Sequence, residues 1–458
     1  MTAGLPLIAG DDLDAPLAWV QGEPISRRRY LADVALLAPQ LPAVGHMLNL
    51  SADRYRFAIG LGAAMLRGQD NLLPPNHTPD LLARLQQQFP NLYVVSDDVE
   101  RHGTHRLTWP APGRRLDRAA DAVAALAPDS VAVRVMTSGS TGEPQPHRKT
   151  WGLLWRNARA GATRLASLAG QSSLDGVNLV ATVPAQHMYG FESSLLVAQL
   201  AGAAFDVARP FYPADIATAL ARLPRPRMLV TTPLHLKTLL DSGVSLPAID
   251  LTVCATAPLA PQLAARAEAA LRAPLVEIYG CTEAGQVATR RITHGATWQT
   301  FDGLTIASDA EQSIVSGGHV PEPTPLADLL ELQDNTHFRL LGRSNDLINI
   351  AGKRGSLSHL NFHLNAIEGV HDAVFWLPSE GVGHPGEVMR MVALVVAPRL
   401  SRAQLLDALR QRIDAAFLPR RIVWVDSLPR DATGKLPNAR LADWAAQQLR
   451  SAGPAQPE

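Results

Sequence analysis

The chain has 458 residues, 47% of them hydrophobic and 18% charged, so we expect a folded protein with more than one hydrophobic core. Its 42 basic and 42 acidic residues give a formal net charge of zero. That balance argues against nucleic acid as the main partner, because such binding needs a broad cationic surface.

Other features of the composition narrow the cellular setting. Only two cysteines occur, Cys254 and Cys281, which is too few for a disulfide framework and fits a reducing cytoplasm. The N-terminal residues lack a basic segment followed by an apolar one, so no secretory signal is expected. No apolar run reaches the roughly 18 residues that a membrane span needs. We therefore expect a cytoplasmic protein with no membrane span.

Short apolar runs alternate with helical patterns over most of the chain, which predicts an α/β fold. The first predicted elements, in chain order, are the strands Val131–Met136, Val177–Val183 and Met228–Thr232, the helix Pro261–Leu271 and the strand Leu275–Ile278. We expect them to belong to a large, multi-layered N-terminal domain that spans residues 1–342.

Residues 343–458 read as a separate, small α+β domain. Its predicted elements are the strand Leu347–Ile350, the helix Ser358–Ile367, the strands Ala373–Leu377 and Val388–Val396, and a helix capped by Ser401. The boundary falls in the polar stretch Gly342–Asp346, which lies between apolar runs and is predicted to act as a hinge.

A hydroxyl-rich and glycine-rich segment follows the first of these strands. It comprises Thr137, Ser138, Gly139, Ser140, Thr141 and Gly142. Such a loop can surround phosphate oxygens with backbone N–H and side-chain O–H donors, although a solvated turn has the same composition. The Gly-Lys-Ser/Thr end of a Walker A motif is missing, which argues against a nucleotide hydrolase of that type.

Two further segments carry reactive groups. The strand-like LVEI is followed by Tyr279, Gly280, Cys281, Thr282 and Glu283, at a strand end where open α/β sheets bind ligands. Tyr279 could stack on a base, Thr282 could bind a phosphate and Glu283 could hold Mg²⁺. Near the C-terminus, Lys435 follows a Thr-Gly turn; it is either a surface cation or a charge that stabilises a phosphoryl or carboxylate anion.

Taken together, and in this order, these segments resemble the adenylate-forming superfamily of acyl-CoA synthetases, adenylation domains and luciferases. Residues 137–144 resemble its phosphate loop, and Tyr279–Glu283 resemble its YGxTE motif. Gly342-Arg343 resembles the GR that precedes its hinge, and Leu428–Lys435 its catalytic-lysine motif. The resemblance extends from about residue 130 to 440.

The resemblance implies a role for each matching residue. The loop Thr137–Gly142 would bind the β- and γ-phosphates of ATP, Thr282 and Glu283 would meet the α-phosphate and Mg²⁺, and Lys435 would be catalytic. The nucleotide-binding set would also include Ala257 and Tyr279 at adenine, Gly280 between Tyr279 and Thr282, and Asp328 and Arg343 at the ribose. Asn345 would be the hinge residue.

The acid would bind beside the nucleotide. His187 resembles the residue that borders the acyl pocket in this family, although a lone histidine is more often structural. Four neighbouring residues are predicted to line the pocket: Tyr189, Phe191, Ile278 and Cys281.

The sequence also departs from the family pattern. The phosphate loop normally continues Pro-Lys, whereas this chain has Pro144-Gln145, and either Arg148 or Lys149 could replace the missing cation. After the hinge the chain has Gly352-Lys353-Arg354-Gly355 in place of a Gly-x-Arg-Ile element, so the thiol-accepting face is expected to differ from that of typical CoA ligases.

The chain most resembles the AMP-ligases of aryl-polyene and xanthomonadin pigment biosynthesis, which load 3-hydroxybenzoate onto an acyl carrier protein. The resemblance thus implies a ligase that uses ATP and Mg²⁺, a small carboxylic acid, and a phosphopantetheine thiol. The nine Lys/Arg and five Asp/Glu of residues 401–450 would suit an acidic carrier protein. Two alternatives stay open: a medium-chain or aryl acyl-CoA ligase that uses free CoA, and a non-catalytic binding module with the same fold.

Overall fold

The computed structural model describes residues 4–74, 78–96, 123–138, 144–308, 312–343, 347–350, 353–378, 391–430, 436 and 438–451. Its strands and helices alternate in layers, so the predicted α/β fold is confirmed. In the described part of the chain, no helix has both the length and the apolar character required to cross a bilayer.

The strands are numbered in chain order. The first thirteen are β1 (Leu5–Pro6), β2 (Pro16–Val20), β3 (Glu23–Ser26), β4 (His46–Asn49), β5 (Asn71–Leu73), β6 (Leu92–Val95), β7 (Ala125–Leu126), β8 (Val131–Ser138), β9 (Pro144–Thr150), β10 (Asn178–Ala181), β11 (Ala204–Asp206), β12 (Arg227–Thr231) and β13 (Leu251–Cys254). The others are β14 (Leu275–Cys281), β15 (Gly285–Arg290), β16 (Trp298–Thr300), β17 (Leu304–Ser308), β18 (Ser313–Gly317), β19 (Val320–Leu326), β20 (Asp328–Leu332), β21 (His337–Arg343), β22 (Leu347–Ile350), β23 (Lys353–Ser356), β24 (Asp372–Trp376), β25 (Val392–Val396) and β26 (Arg421–Trp424).

The α-helices are numbered in the same way. They are α1 (Arg27–Leu37), α2 (Arg54–Leu66), α3 (Pro79–Gln88), α4 (Trp151–Leu168), α5 (Met188–Gly190), α6 (Val197–Ala201), α7 (Pro213–Arg222), α8 (Pro233–Asp241), α9 (Pro261–Leu271), α10 (Leu357–Asn365), α11 (Arg402–Arg410) and α12 (Asn438–Ser451). A π-helical turn (Phe191–Leu196) joins α5 to α6, and short 3-10 turns lie at Ala38–Gln40 and Ala415–Phe417.

The main sheet has eleven strands in the order β20-β21-β16-β15-β14-β13-β12-β10-β11-β2-β3. Its centre, from β14 to β2, is parallel, and the strands there are buried on both faces, which explains their continuous apolar sequences. A second sheet, in the order β6-β4-β5-β8-β9, ends in the antiparallel pair β8–β9. A three-stranded sheet of β17, β18 and β19 packs beside them.

The largest hydrophobic core joins the two large sheets through the helices between them. Its most buried large side chains include Trp151 from α4, Phe57 from α2 and Phe191 from the π-helical turn. Phe57 and Phe191 meet edge to face, with ring centroids 6.4 Å apart. This core fixes α4 and the π-helical turn against the parallel strands, whose ends carry the predicted site.

The C-terminal residues have a core of their own. It is formed mainly by α10, α11 and the sheet β24-β25-β26, and includes Leu364, Phe375 and Leu405. The predicted cap of α11 is confirmed, because the Ser401 hydroxyl accepts from the Gln404 amide and the Gln404 side chain accepts from the Ser401 amide. The strand predicted over Val388–Val396 is described only from residue 391 onward and begins at Val392. A separate core agrees with a small domain, and the boundary after residue 342 stays a prediction.

Candidate active site

The carboxyl ends of β12, β13 and β14 meet at one edge of the main sheet, because the three strands are parallel. Tyr189 from α5 lies across this edge, with its hydroxyl 3.0 Å from the carbonyl oxygens of both Thr231 and Val253. Burial raises the pKa of Tyr189 well above its ordinary value, so the hydroxyl stays protonated and donates. The residue is thus held at the ends of β12 and β13.

Two residues predicted to bind the nucleotide are in direct contact. The hydroxyl of Tyr279 on β14 donates to a carboxylate oxygen of Asp328 on β20 at 2.8 Å. The Tyr279 ring packs against Trp298 and Phe338, at centroid distances of 5.8 and 5.7 Å. Asp328 is also the strand partner of Arg343 on β21, so the backbones of these two predicted ribose-binding residues lie side by side.

A single cleft collects most of the residues that are predicted to bind the nucleotide and that the structure describes. It is lined by Ala257, Ile278, Tyr279, Gly280 and Asp328, and on its other side by residues of α10 and β24. Gly280 lies at a bulge between β14 and β15, where a Cβ atom would come within 2.3 Å of the Gly285 carbonyl oxygen. A side chain at position 280 would collide with the backbone, so this bulge requires glycine.

The predicted metal ligand, Glu283, lies just beyond β14 and is exposed. Its carboxylate is 3.7 Å from the Nε2 atom of His147, and its backbone carbonyl accepts a hydrogen bond from the ammonium of Lys149. Burial lowers the pKa of His147, so the imidazole is neutral at pH 7 and does not neutralise the carboxylate. Glu283 therefore combines an anchored backbone with a charged, accessible side chain.

A magnesium ion is compatible with this arrangement. Mg²⁺ is commonly held by one or two protein carboxylates, with substrate phosphates and water filling its other positions. Among the residues that the structure describes, no three His, Cys, Asp or Glu side chains are grouped to hold a metal. Glu283 alone, together with ATP phosphates, fits the ligand set that Mg²⁺ prefers.

Behind Glu283 lies a buried polar network that sequence reasoning missed. Glu192 is 3% exposed and accepts hydrogen bonds from the Asn157 amide and from the Gln286 backbone. Burial raises the pKa of Glu192, and the positive charge of the nearby Lys149 lowers it. His319 lies at the same place, with its Nε2 atom 2.7 Å from the Gln286 carbonyl oxygen. The sequence signal was Glu192 itself, a charge between Phe191 and the apolar helix α6.

A second buried pair supports the other wall of the cleft. Arg290 on β15 forms two hydrogen bonds to Glu277 on β14, at 2.8 and 2.9 Å, and its guanidinium lies 4.3 Å from the centre of the Trp298 ring. Glu277 also accepts from the Leu259 backbone, which ties it to the segment after β13. Burial raises the pKa of Glu277, and Arg290 counters this effect. A charge inside the predicted strand LVEI was the available signal.

The predicted acid-pocket residues do not all lie at the cleft. Phe191 is fully buried in the main core against Phe57, which favours a packing role over contact with a substrate. His187 directly precedes α5, two positions before Tyr189, and is half-buried. Cys281 is held near Glu283, and burial raises its pKa to about 12, so its thiol is not a nucleophile. Thr282 is half-buried between Cys281 and Glu283.

Several predicted residues lie outside the described part of the chain. They are Gly139, Ser140, Thr141, Gly142, Asn345 and Lys435. Thr137 and Ser138 end β8, where their strand partners are Gln145 and Pro144 on β9. The predicted phosphate loop is therefore the connection of the β8–β9 hairpin, and β9 also carries His147 and Lys149.

Comparison with known proteins identifies the family and the fold. A sequence model of the family described as "AMP-binding enzyme" matches residues 38–322. The match covers more than half of the chain and includes β8, β9, β14 and Glu283.

Individual relatives give the same result. A 4-coumarate–CoA ligase from Halorhodospira halophila is 29% identical over 347 residues, which cover 70% of this chain and 79% of that protein. A second 4-coumarate–CoA ligase, from Rhodobacter capsulatus, is 30% identical over 303 residues, or 65% of this chain and 73% of that protein. Among solved structures, ATP-bound MatB from Rhodopseudomonas palustris superposes with a TM-score of 0.75 over 96% of this chain and 97% of that chain. At 18% identity, this last likeness shows the fold alone.

Proposed function

The chain belongs to the AMP-binding enzyme family and is an AMP-forming acid–thiol ligase, and on that premise we propose which acid and which thiol it joins. We propose that it adenylates an aryl acid such as 3-hydroxybenzoate and transfers the acyl group to the phosphopantetheine thiol of an acyl carrier protein. The observation that carries the proposal is the convergence of Ala257, Tyr279 and Asp328 in one cleft. The exposed residue Glu283 follows Gly280 of that cleft by three positions.

The chemistry explains why these groups are needed. A carboxylate resists attack because oxide is a poor leaving group, and transfer of AMP to it provides a good one. As the acid attacks the α-phosphorus, negative charge builds up on the phosphoryl group and on the departing pyrophosphate. Glu283 would hold the Mg²⁺ that balances this charge, and Lys435 would add a second positive charge. Asp328, Tyr279 and Arg343 would orient the nucleoside.

The two half-reactions share the adenylate but need different surroundings. In the first, Lys435 would lie at the phosphates, and in the second a thiol must reach the acyl carbon. We propose that residues 343–458 form a mobile domain that rotates about Asn345 between these steps. The separate C-terminal core supports this division, because a part with its own core can move as a unit.

Two observations support an aromatic acid. The relatives from H. halophila and R. capsulatus are named for 4-coumarate, which is an aryl acid. In this chain, the Tyr189 hydroxyl is already bound to two backbone carbonyls, which leaves its ring to contact an acid at the strand ends. Ile278, which lines the cleft, supplies an apolar surface there.

The acceptor is the point at which a second candidate function competes. The same relatives are named CoA ligases, which favours free CoA over a carrier protein. The cationic excess of residues 401–450 favours a carrier protein, but several of these cations already have partners. Arg402 donates to the Arg420 carbonyl, Arg421 donates to the Leu449 carbonyl, and Arg430 is paired with Asp372. The carrier-protein proposal therefore depends mainly on the pigment-ligase resemblance.

Acid-dependent exchange between ATP and labelled pyrophosphate tests the first half-reaction. We expect exchange to be fastest with hydroxylated benzoates when aryl acids and straight-chain fatty acids are compared at equal concentration. The second half-reaction is tested by offering the best acid together with either CoA or phosphopantetheinylated carrier protein, with unmodified carrier protein as the control. Faster exchange with fatty acids would reject the aryl-acid assignment. Equal or faster acylation of CoA would reject the carrier-protein version and leave the CoA ligase.

A further inference from the structure

Strand β9 presents two residues to the predicted metal ligand. Side chains alternate along a strand, so Gln145, His147 and Lys149 share one face of β9. His147 lies 3.7 Å from the Glu283 carboxylate, and the Lys149 ammonium donates to the Glu283 backbone carbonyl. The position nearest the predicted phosphate loop, Gln145, carries no charge. Lys149 therefore carries the positive charge of this face of β9.

Lys149 is buried to an unusual degree for a lysine. It is 7% exposed, and burying an ammonium group is unfavourable unless an opposite charge and hydrogen bonds compensate. The compensating carboxylate is Glu192, which lines the same small buried cavity as Lys149 and interacts with its charge. Glu192 is itself 3% exposed and accepts a hydrogen bond from the Asn157 amide. Four elements meet here: β9, α4, the π-helical turn and the β14–β15 connection.

The network also fixes the segment on the far side of Glu283. The Gln286 backbone donates to Glu192, and its carbonyl oxygen is bound by His319. Lys149 thus holds Glu283 from one side, while Glu192 and His319 hold Gln286 three positions later. An isolated surface turn would leave the Glu283 backbone free to move, whereas here both ends of the segment are attached to buried groups.

We propose that Lys149 is a positioning residue that holds Glu283 in place for Mg²⁺ and the phosphates of ATP, with Glu192 as its buried counter-charge. This inference rests on the proposed function, since it assigns Glu283 to the metal. It identifies Lys149, not Arg148, as the cation that compensates for Gln145. Lys149 does so indirectly, through the backbone that carries the metal ligand.

The competing explanation is that Lys149 only stabilises the fold. Comparing the binding of AMP with the binding of Mg·ATP distinguishes this explanation from a positioning role. AMP has no β- or γ-phosphate, so its binding depends little on Mg²⁺ at Glu283, whereas binding of Mg·ATP depends on it. A structural defect lowers the stability of the fold and weakens the binding of both ligands to the same degree. A positioning defect weakens the binding of Mg·ATP alone.

The experiment measures the Kd of Mg·ATP and of AMP by calorimetry, together with thermal unfolding of the apoprotein. For Lys149→Met we expect the Kd of Mg·ATP to rise about tenfold or more, because a charged hydrogen bond is lost, and the Kd of AMP to change less than about twofold. Since Lys149→Met leaves Glu192 buried without its counter-charge, the double variant Lys149→Met/Glu192→Gln removes both charges and is expected to regain stability. Its weak binding of Mg·ATP should persist.

Asn178→Ala is the matched control. Asn178 is also buried and accepts from the Trp19 indole, but it begins β10, at the opposite end of the parallel strands from the site. We expect this variant to unfold at a lower temperature with both Kd values unchanged. Equal weakening of AMP and Mg·ATP in the double variant, or no weakening of either, would overturn the inference. If the unmodified protein binds Mg·ATP but no acid supports exchange, the proposed function fails while the role of Lys149 stands.

Discussion

Tyr279 and Asp328 are joined by a hydrogen bond of 2.8 Å, although they lie 49 positions apart in the chain. Tyr279 lies in the buried strand β14 of the main sheet, and Asp328 begins the antiparallel strand β20 at the edge of that sheet. The bond connects the wall of the cleft where adenine is expected to the carboxylate expected at the ribose. The two residues predicted to bind the nucleoside are thus held together by a direct contact.

Tyr279→Phe tests this organisation. The variant keeps the ring that packs against Trp298 and Phe338 but removes the bond to Asp328. A hydrogen bond to a charged group contributes about 1.5–3 kcal/mol, so we expect the KM for ATP to rise roughly tenfold while the KM for the acid stays the same. Steady-state pyrophosphate exchange with each substrate varied in turn measures both constants. An unchanged KM for ATP would show that Tyr279 does not orient Asp328.

The sequence predicted the elements near this site well, since the site is built on strands with strong apolar patterns. The helix Pro261–Leu271 and the strand Leu347–Ile350 have the predicted bounds. It did not predict the Tyr279–Asp328 bond or the Glu277–Arg290 pair. Each depends on which strands become neighbours in the sheet, and that information is spread over the whole fold.

Sequence reasoning was least complete for the groups behind Glu283. Lys149 was named only as one of two replacements for a missing cation, and Glu192 was not named at all. A buried charge leaves no periodic pattern, because its partners come from other elements. Phe191 is a different case: it lies two positions after Tyr189 and was predicted to line the pocket, but the helical rotation over two positions places its side chain in the main core.

Glu283→Gln tests the metal site. The amide is a weaker ligand for Mg²⁺ than the carboxylate, so we expect the rate of pyrophosphate exchange to fall by about 100-fold or more and the Mg²⁺ concentration needed for half-maximal rate to rise. Exchange measured over a magnesium titration gives both values. Glu322→Gln, which removes an exposed charge from β19, serves as the control and should match the unmodified protein. A magnesium response identical to that of the control would remove Glu283 from the site.

Lys435→Ala tests the two-step mechanism. Because Lys435 is expected to act at the phosphates only, the variant should lose most of the acid-dependent exchange and still transfer the acyl group from a synthetic acyl-adenylate to the thiol. The two half-reactions are assayed separately for this purpose. Loss of both half-reactions together would point to a general defect, and full retention of exchange would contradict the assigned role.

The Glu277–Arg290 pair should be far more important for stability than an exposed pair. Both side chains are mostly buried, so Glu277→Ala leaves the Arg290 guanidinium without its counter-charge and is expected to lower the free energy of unfolding by about 3–5 kcal/mol. The exposed pair Arg266–Asp241 is the comparison, and Asp241→Asn should change it by less than about 1 kcal/mol. Urea unfolding measures both. Similar losses would mean that burial does not set the strength of these pairs.

His319 makes stability depend on pH in a defined direction. Burial lowers its pKa from 6.5 to about 4, and in the neutral form it donates to the Gln286 carbonyl. A lowered pKa in the folded state means that unfolding takes up a proton between the two pKa values. The contribution of neutral His319 to the free energy of unfolding is therefore complete above about pH 6.5 and is lost as the pH falls towards 4.

The lowering of the His319 pKa corresponds to about 3 kcal/mol of unfolding free energy, since one pKa unit is worth about 1.4 kcal/mol. His319→Gln keeps a donor for Gln286 and cannot titrate. Urea unfolding of both proteins at pH 7 and at pH 4.5 should show a smaller loss of unfolding free energy in the variant, by up to that amount. Parallel losses in the two proteins would mean that His319 is protonated in the folded state at pH 4.5. The buried network behind Glu283 would then hold a protonated His319, although burial disfavours that charge.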